Sequence, residues 1–136
     1  MQFEETAAFL LAKATVIHKN ALQKHAYSVG LHSGQVFVMM ELWKSDGQRQ
    51  IDLAAKLNLS APTVNKILGG LLGSDFVTRA RYEDDARSTR IFLTQKGVDI
   101  REKLEQAWQE LEDQTLSGLT DTEALMFKQL LQKLFA

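Results

Sequence analysis

A chain of 136 residues with 45% hydrophobic and 24% charged content has the size and composition of one globular domain with a core of its own. It has no cysteine, which excludes disulfide staples, thiolate zinc sites and thiol redox sensing. Its longest apolar run falls far short of the roughly 18 residues a membrane helix needs.

The N-terminus, MQFEETAAFL, is acidic where a secretory signal is basic. The expected location is therefore the cytoplasm, with no membrane partner. The net charge of −1 conceals an asymmetry: residues 44–97 carry nine Lys and Arg against six Asp and Glu, and the remainder carries seven against eleven. Because exposed charges more than about 8 Å apart are largely screened at physiological salt, the basic middle matters more to a bound phosphate than the distant acids do.

From Phe3 to about Tyr27 the apolar residues Phe3, Ala7, Leu10, Ala14, Ile17 and Ala21 recur at helical spacing. Phe9, Leu11, Ala12 and Val16 widen that stripe beyond one face, so the helix is expected to pack on two sides. The segment VGLHSG breaks the pattern, and Ser33 can cap a second helix running to about Lys44, with Val36, Met39, Met40 and Trp43 inward. Two short helical patterns follow, Gln50 to Leu57 and Ala61 to Leu72. Between them, Asn58 tolerates the left-handed backbone of a tight exit and Ser60 is a good N-cap. FVTRARY and RIFLT, rich in β-branched and aromatic residues and separated by a polar tip, read as a hairpin. A long helix from Thr94 to about Leu116 carries Ile100, Leu104, Ala107, Trp108 and Leu111 on one stripe. In the last helix Thr120 and Glu123 have capping-box spacing, and Ala124, Phe127, Leu131 and Leu134 form the apolar face.

Two short helices, the second entered through a serine cap, and then a two-stranded hairpin make the plan of a winged helix-turn-helix. The fold class is mainly α with a small β wing. In the second short helix Val64, Ile67, Leu68 and Leu71 must face the core, leaving Ala61, Pro62, Thr63, Asn65 and Lys66 outward. Thr63, Asn65 and Lys66 are residue types that can read base edges, and they are equally ordinary solvent-facing positions.

IDLAAKLNLSAPTVNKILGGL followed by DDARSTRIFLTQKG resembles the MarR family of bacterial transcription regulators, whose wing carries Asp-x-Arg and then aliphatic-x-Leu-Thr-x-x-Gly. The matching positions are Asp85, Arg87, Ile91, Leu93, Thr94 and Gly97. The resemblance implies a homodimer in which segments 1–30 and 98–136 interlock, while residues 33–97 form a winged lobe that binds double-stranded DNA at a pseudo-palindrome. It further implies that Thr63, Asn65 and Lys66 read bases with Ser60 and Pro62 near the backbone, and that Arg87 enters the minor groove with Asp85 as its buttress. Arg79, Arg81 and Arg90 are candidates for phosphate contact or wing support. The implied activity is that of a repressor modulated by a small-molecule effector, in a crevice where Tyr27, Phe37, Met40, Trp43 and His18 are candidate lining residues. Three positions depart from the family pattern: Arg49 replaces the usual capping Thr or Ser, Asp75 the usual Gly, and Gly69-Gly70 falls inside the recognition helix.

His18, His25 and His32 are spaced by seven, about 10.5 Å along a straight helix, so neighbouring members of the series cannot share one metal ion. No nucleophile with a base partner and no phosphate-binding glycine loop is present, and neither an enzyme nor a cofactor is expected. The competing reading of the fold is a winged-helix module used for protein contacts alone.

Overall fold

The structure, a computed structural model, describes residues 1–81 and 89–135. The wing tip, including Asp85 and Arg87, lies outside the described residues. Helices α1 (Ala7–Ser28), α2 (Ser33–Lys44), α3 (Gln50–Lys56), α4 (Ala61–Gly73), α5 (Gln95–Leu116) and α6 (Asp121–Lys133) accompany strands β1 (Gln48–Arg49), β2 (Val77–Arg81) and β3 (Thr89–Leu93).

Several helix ends follow from side chains that satisfy otherwise unpaired backbone groups. Thr6 accepts from the Phe9 N–H at 3.1 Å and starts α1, so the helix expected from Phe3 is split there from a short 3-10 turn, Phe3–Glu5. The capping box of α6 forms as its sequence implies: Glu123 N–H donates to Thr120 Oγ1 at 3.2 Å and Thr120 N–H to Glu123 Oε1 at 3.0 Å. Backbone donation to the Glu123 carboxylate lowers its pKa from the usual carboxylate value. The expectation of Ser33 as the cap of α2 is corrected by one residue. His32 is the N-cap, its N–H donates to Gln35 Oε1 at 2.9 Å, and Ser33 N–H reaches back to Gln23 Oε1 at 2.9 Å.

The sheet has the order β1-β3-β2, antiparallel throughout, with Gln48 opposite Ile91 and Val77 opposite Leu93. The core of the lobe is formed by Leu31, Val36, Met39, Leu42, Leu53, Val64, Leu68, Leu71, Phe76 and Ile91, joined by Leu104 from α5. A corner fastens this lobe to α5. Asp75 takes a left-handed turn at φ 62°, Thr94 Oγ1 donates to Asp75 O at 2.6 Å, and Thr94 N–H donates to Phe76 O at 3.1 Å. Thr94 also caps α5 by accepting from Gly97 N–H at 3.0 Å. A Cβ at Gly97 would collide with the Phe76 carbonyl oxygen, so glycine is required there. Trp43 Nε1 then donates to Gly97 O at 2.9 Å, bringing α2 into the same joint.

The terminal helices differ from the lobe. α1 buries only Leu22 and Ala26, and α6 buries nothing. The two-sided packing expected of α1 is absent within one chain, where Val16 and Ile17 are 62% and 61% exposed. The accessible surface is 9512 Å², against roughly 7,100 Å² for a compact monomer of this mass.

The paired glycines of α4 have different causes. A Cβ on Gly70 would lie 2.5 Å from Gln35 Nε2, because α2 and α4 cross closely there, whereas one on Gly69 would meet nothing within 4 Å. Gly69→Ala should therefore stabilise the protein by about 0.5–1 kcal/mol in denaturant melts. Gly70→Ala should gain nothing or lose stability, since Gln35 must move and its bond to His32 is disturbed. Equal gains at both positions would contradict this packing.

Candidate nucleic-acid interface

The two-helix unit is built around the turn between α3 and α4. Leu57 N–H returns to Leu53 O at 3.0 Å, Asn58 takes φ 53°, and Leu59 N–H closes on Ala54 O at 2.9 Å. Ser60 then starts α4 with its hydroxyl on Thr63 N–H at 3.3 Å, and Pro62 stands in the first turn, where no intrahelical donor is needed. Val64, Leu68 and Leu71 are fully buried and Ile67 is partly buried. Ala61, Pro62, Thr63, Asn65 and Lys66 are all exposed.

That exposed face is already ordered by its own hydrogen bonds. Ser60 Oγ and Thr63 Oγ1 lie 2.8 Å apart, and Gln50 Nε2, at the start of α3, donates to Asn65 Oδ1. Gln50 was not among the sequence candidates, because a contact between residues fifteen apart on different helices leaves no periodic trace. Arg49 makes no side-chain cap. Its guanidinium instead donates to Asp52 at 2.8 and 3.1 Å, which lowers the pKa of the Asp52 carboxyl and raises that of Arg49.

On the wing, Arg79 and Arg81 are exposed and stand opposite Ile91 and Thr89, on one face of the hairpin. Arg90 braces the sheet: its Nη1 donates to Gly47 O at 2.9 Å. Beside it, Asp46 Oδ1 accepts from the N–H groups of Gly47 and Leu93, both at 2.9 Å. Strand β1, which follows this latch, is two residues long and too short for any alternation to be read in sequence.

A second feature is an open groove of about 560 Å³ between α2 and α5. Phe37, Met40 and Trp43 line it, joined by Leu57, Arg101 and Trp108. The Arg101 guanidinium stands 5.8 Å over the Trp43 ring, and Trp108 meets Phe37 edge-on at 6.5 Å. Tyr27 and His18 are not brought into this groove. Tyr27 packs edge-on against the His32 ring at 5.0 Å, and His18 lies on the exposed part of α1. The opposite wall was missed because the α5 stripe identifies an inward face without saying which helix it faces. Among the described residues no three His, Asp or Glu side chains converge as a metal site, and no helix is long and apolar enough to cross a membrane.

Residues 31–89 match the model of the MarR family. The HTH-type transcriptional regulator BilQ of Clostridium symbiosum is 32% identical over 120 residues, spanning 88% of this chain and 81% of that protein. The chain belongs to the MarR family of transcriptional regulators. Its fold matches that of a MarR transcriptional regulator from Methanosarcina mazei with a TM-score of 0.81 at 25% identity, covering 93% and 91% of the two chains. A mutant MarR of E. coli, solved in complex with operator DNA, superposes with a TM-score of 0.84 at 20% identity over 100% of this chain and 99% of that one. The six helices and the three-stranded wing sheet among the described residues are thus those of a MarR winged helix.

Proposed function

We propose that the chain acts as a homodimeric repressor that binds a pseudo-palindromic operator and is released by a small molecule. The observation that carries this reading is the exposed, internally hydrogen-bonded polar face at the start of α4, in a chain whose wing strand β2 exposes Arg79 and Arg81. In a helix-turn-helix that face enters the major groove and the wing follows the backbone or minor groove. The partner is double-stranded DNA, as it is for the E. coli relative solved with its operator.

The division of labour follows from side-chain chemistry. Residues 33–97 form the DNA-binding lobe, and segments 1–30 and 98–136 form the dimer. Thr63, Asn65 and Lys66 read base edges, while Ser60 and Pro62 lie near the backbone. Arg79 and Arg81 contact phosphates, and Arg90 supports the wing from beneath. For Asp85 and Arg87, which lie outside the described residues, the proposed roles rest on side-chain chemistry alone: a carboxylate partner and a minor-groove guanidinium. The uncovered apolar surface of α1 and α6 supports dimerisation, since a chain leaving about 2,400 Å² more surface than a compact monomer would has an interface to fill. A winged helix used only for protein contacts would have no reason to prefer one duplex over another.

Selection from a random duplex pool should enrich one palindromic motif, bound with affinity that falls steeply as salt rises. Arg87→Ala should weaken binding to it by about 1–3 kcal/mol while leaving the dimer intact. A pool without enrichment would contradict the regulator reading, and unchanged affinity in the variant would contradict the wing assignment.

The effector is proposed to enter the groove between α2 and α5, next to the joint that carries the lobe. Trp43 and Trp108 are the protein's two tryptophans, and both line that groove. An aromatic compound that relieves operator binding should therefore alter intrinsic fluorescence over the same concentration range. Relief without any change in fluorescence would move the effector site elsewhere.

A further inference from the structure

We propose that Gln50 determines base specificity through Asn65, holding that amide so that it reads guanine where an unheld asparagine would read adenine. This rests on α4 being the DNA-reading helix. Gln50 opens α3 and Asn65 lies on the flank of α4 that faces it, and the hydrogen bond between their amides joins the two helices.

An asparagine amide has one carbonyl oxygen and two N–H donors. Reading adenine uses both kinds of group, with Nδ2 donating to N7 and Oδ1 accepting from the N6 amino group. In this structure Oδ1 accepts from Gln50 Nε2, so one of its two lone pairs is engaged by α3. The groups that Gln50 leaves unengaged are the Nδ2 hydrogens. Guanine offers two neighbouring acceptors, N7 and O6, to such a donor, whereas adenine sets its own amino group against it. The pairing also restricts Asn65 before DNA arrives, so part of the rotamer entropy lost on docking is already lost in the unbound protein.

Gln50 sits where a purely structural role would be plausible, so the test must read base preference and not affinity alone. Binding of the selected operator, with all four bases tried at every position, is compared for the wild type, Gln50→Met, Asn65→Ala and the double variant. Gln50→Met keeps the length of the side chain and removes its N–H groups. The wild type should prefer guanine over adenine about tenfold at one symmetric position. Gln50→Met should bring adenine level with or ahead of guanine at that position alone. Asn65→Ala should abolish the preference there, and adding Gln50→Met to it should change nothing further.

The proposal is overturned if Gln50→Met leaves the preference unchanged, lowers affinity equally at all positions, or still acts when Asn65 is absent. It is also overturned if the position governed by Asn65 prefers adenine in the wild type. Circular dichroism checks folding. Should Gln50→Met not fold, Gln50→Glu, which cannot donate to Oδ1, carries the same expectation. An absence of any enriched operator for the wild type would instead remove the regulator reading itself, which keeps the two failures distinct.

Discussion

The constraint on which the structure depends is the apolar surface that one chain cannot bury. α6 has no buried residue and α1 has two, yet both present Leu, Ile, Val, Phe or Met along their length, with Leu10, Leu125 and Leu130 between 55% and 59% exposed. Helices this poorly packed are marginal by themselves, because most helical stability in a protein comes from tertiary packing and not from propensity. A second copy of the chain offers the same uncovered stripe, and a two-fold arrangement covers both at once. Two-fold symmetry in the protein then requires two-fold symmetry in the DNA it reads.

The lobe is held to the terminal helices at two places: α2 packs on α1, where Ser33 N–H donates to Gln23 Oε1, and a corner joins it to α5. α5 packs against α1 along the body and begins at Thr94 and Gly97, where it is fastened to the corner between α4 and β2 and to Trp43 of α2. The close approach at Gly97 packs the corner between α4 and β2 directly against the start of α5. The aromatic groove opens beside this joint, on Trp43 itself. A ligand held there changes DNA affinity only if it prefers one spacing of the two lobes, and binding both spacings equally well would shift nothing.

Much of this was legible in the sequence where local chemistry decides structure. Ser60, Thr120 and Asn58 sit where their capping and turn preferences put them, and the buried positions of α4 follow its period. The Leu-Thr-x-x-Gly motif of the resemblance has its physical explanation in the Thr94 and Gly97 contacts. The features that escaped are those that depend on a distant partner. Strand β1 exists only because β3 lies beside it, and the Ser33 N–H is taken up by Gln23 of α1 while Gln35 accepts from the His32 N–H at the N-cap. Gly70 is explained only by Gln35 across the helix crossing, and Gln50 belongs to the interface only through Asn65. The roles expected of Asp85 and Arg87 fall outside the described residues.

The central claim, that two chains joined by their terminal helices read one two-fold site, is tested most directly by stoichiometry on DNA. A duplex carrying the full palindrome and a duplex carrying one half-site are titrated while the mass of the complex is followed by sedimentation. The prediction is a single cooperative step to two chains per full site, with the half-site bound at least about 100-fold more weakly. One chain per full site, with the half-site bound equally well, would contradict it.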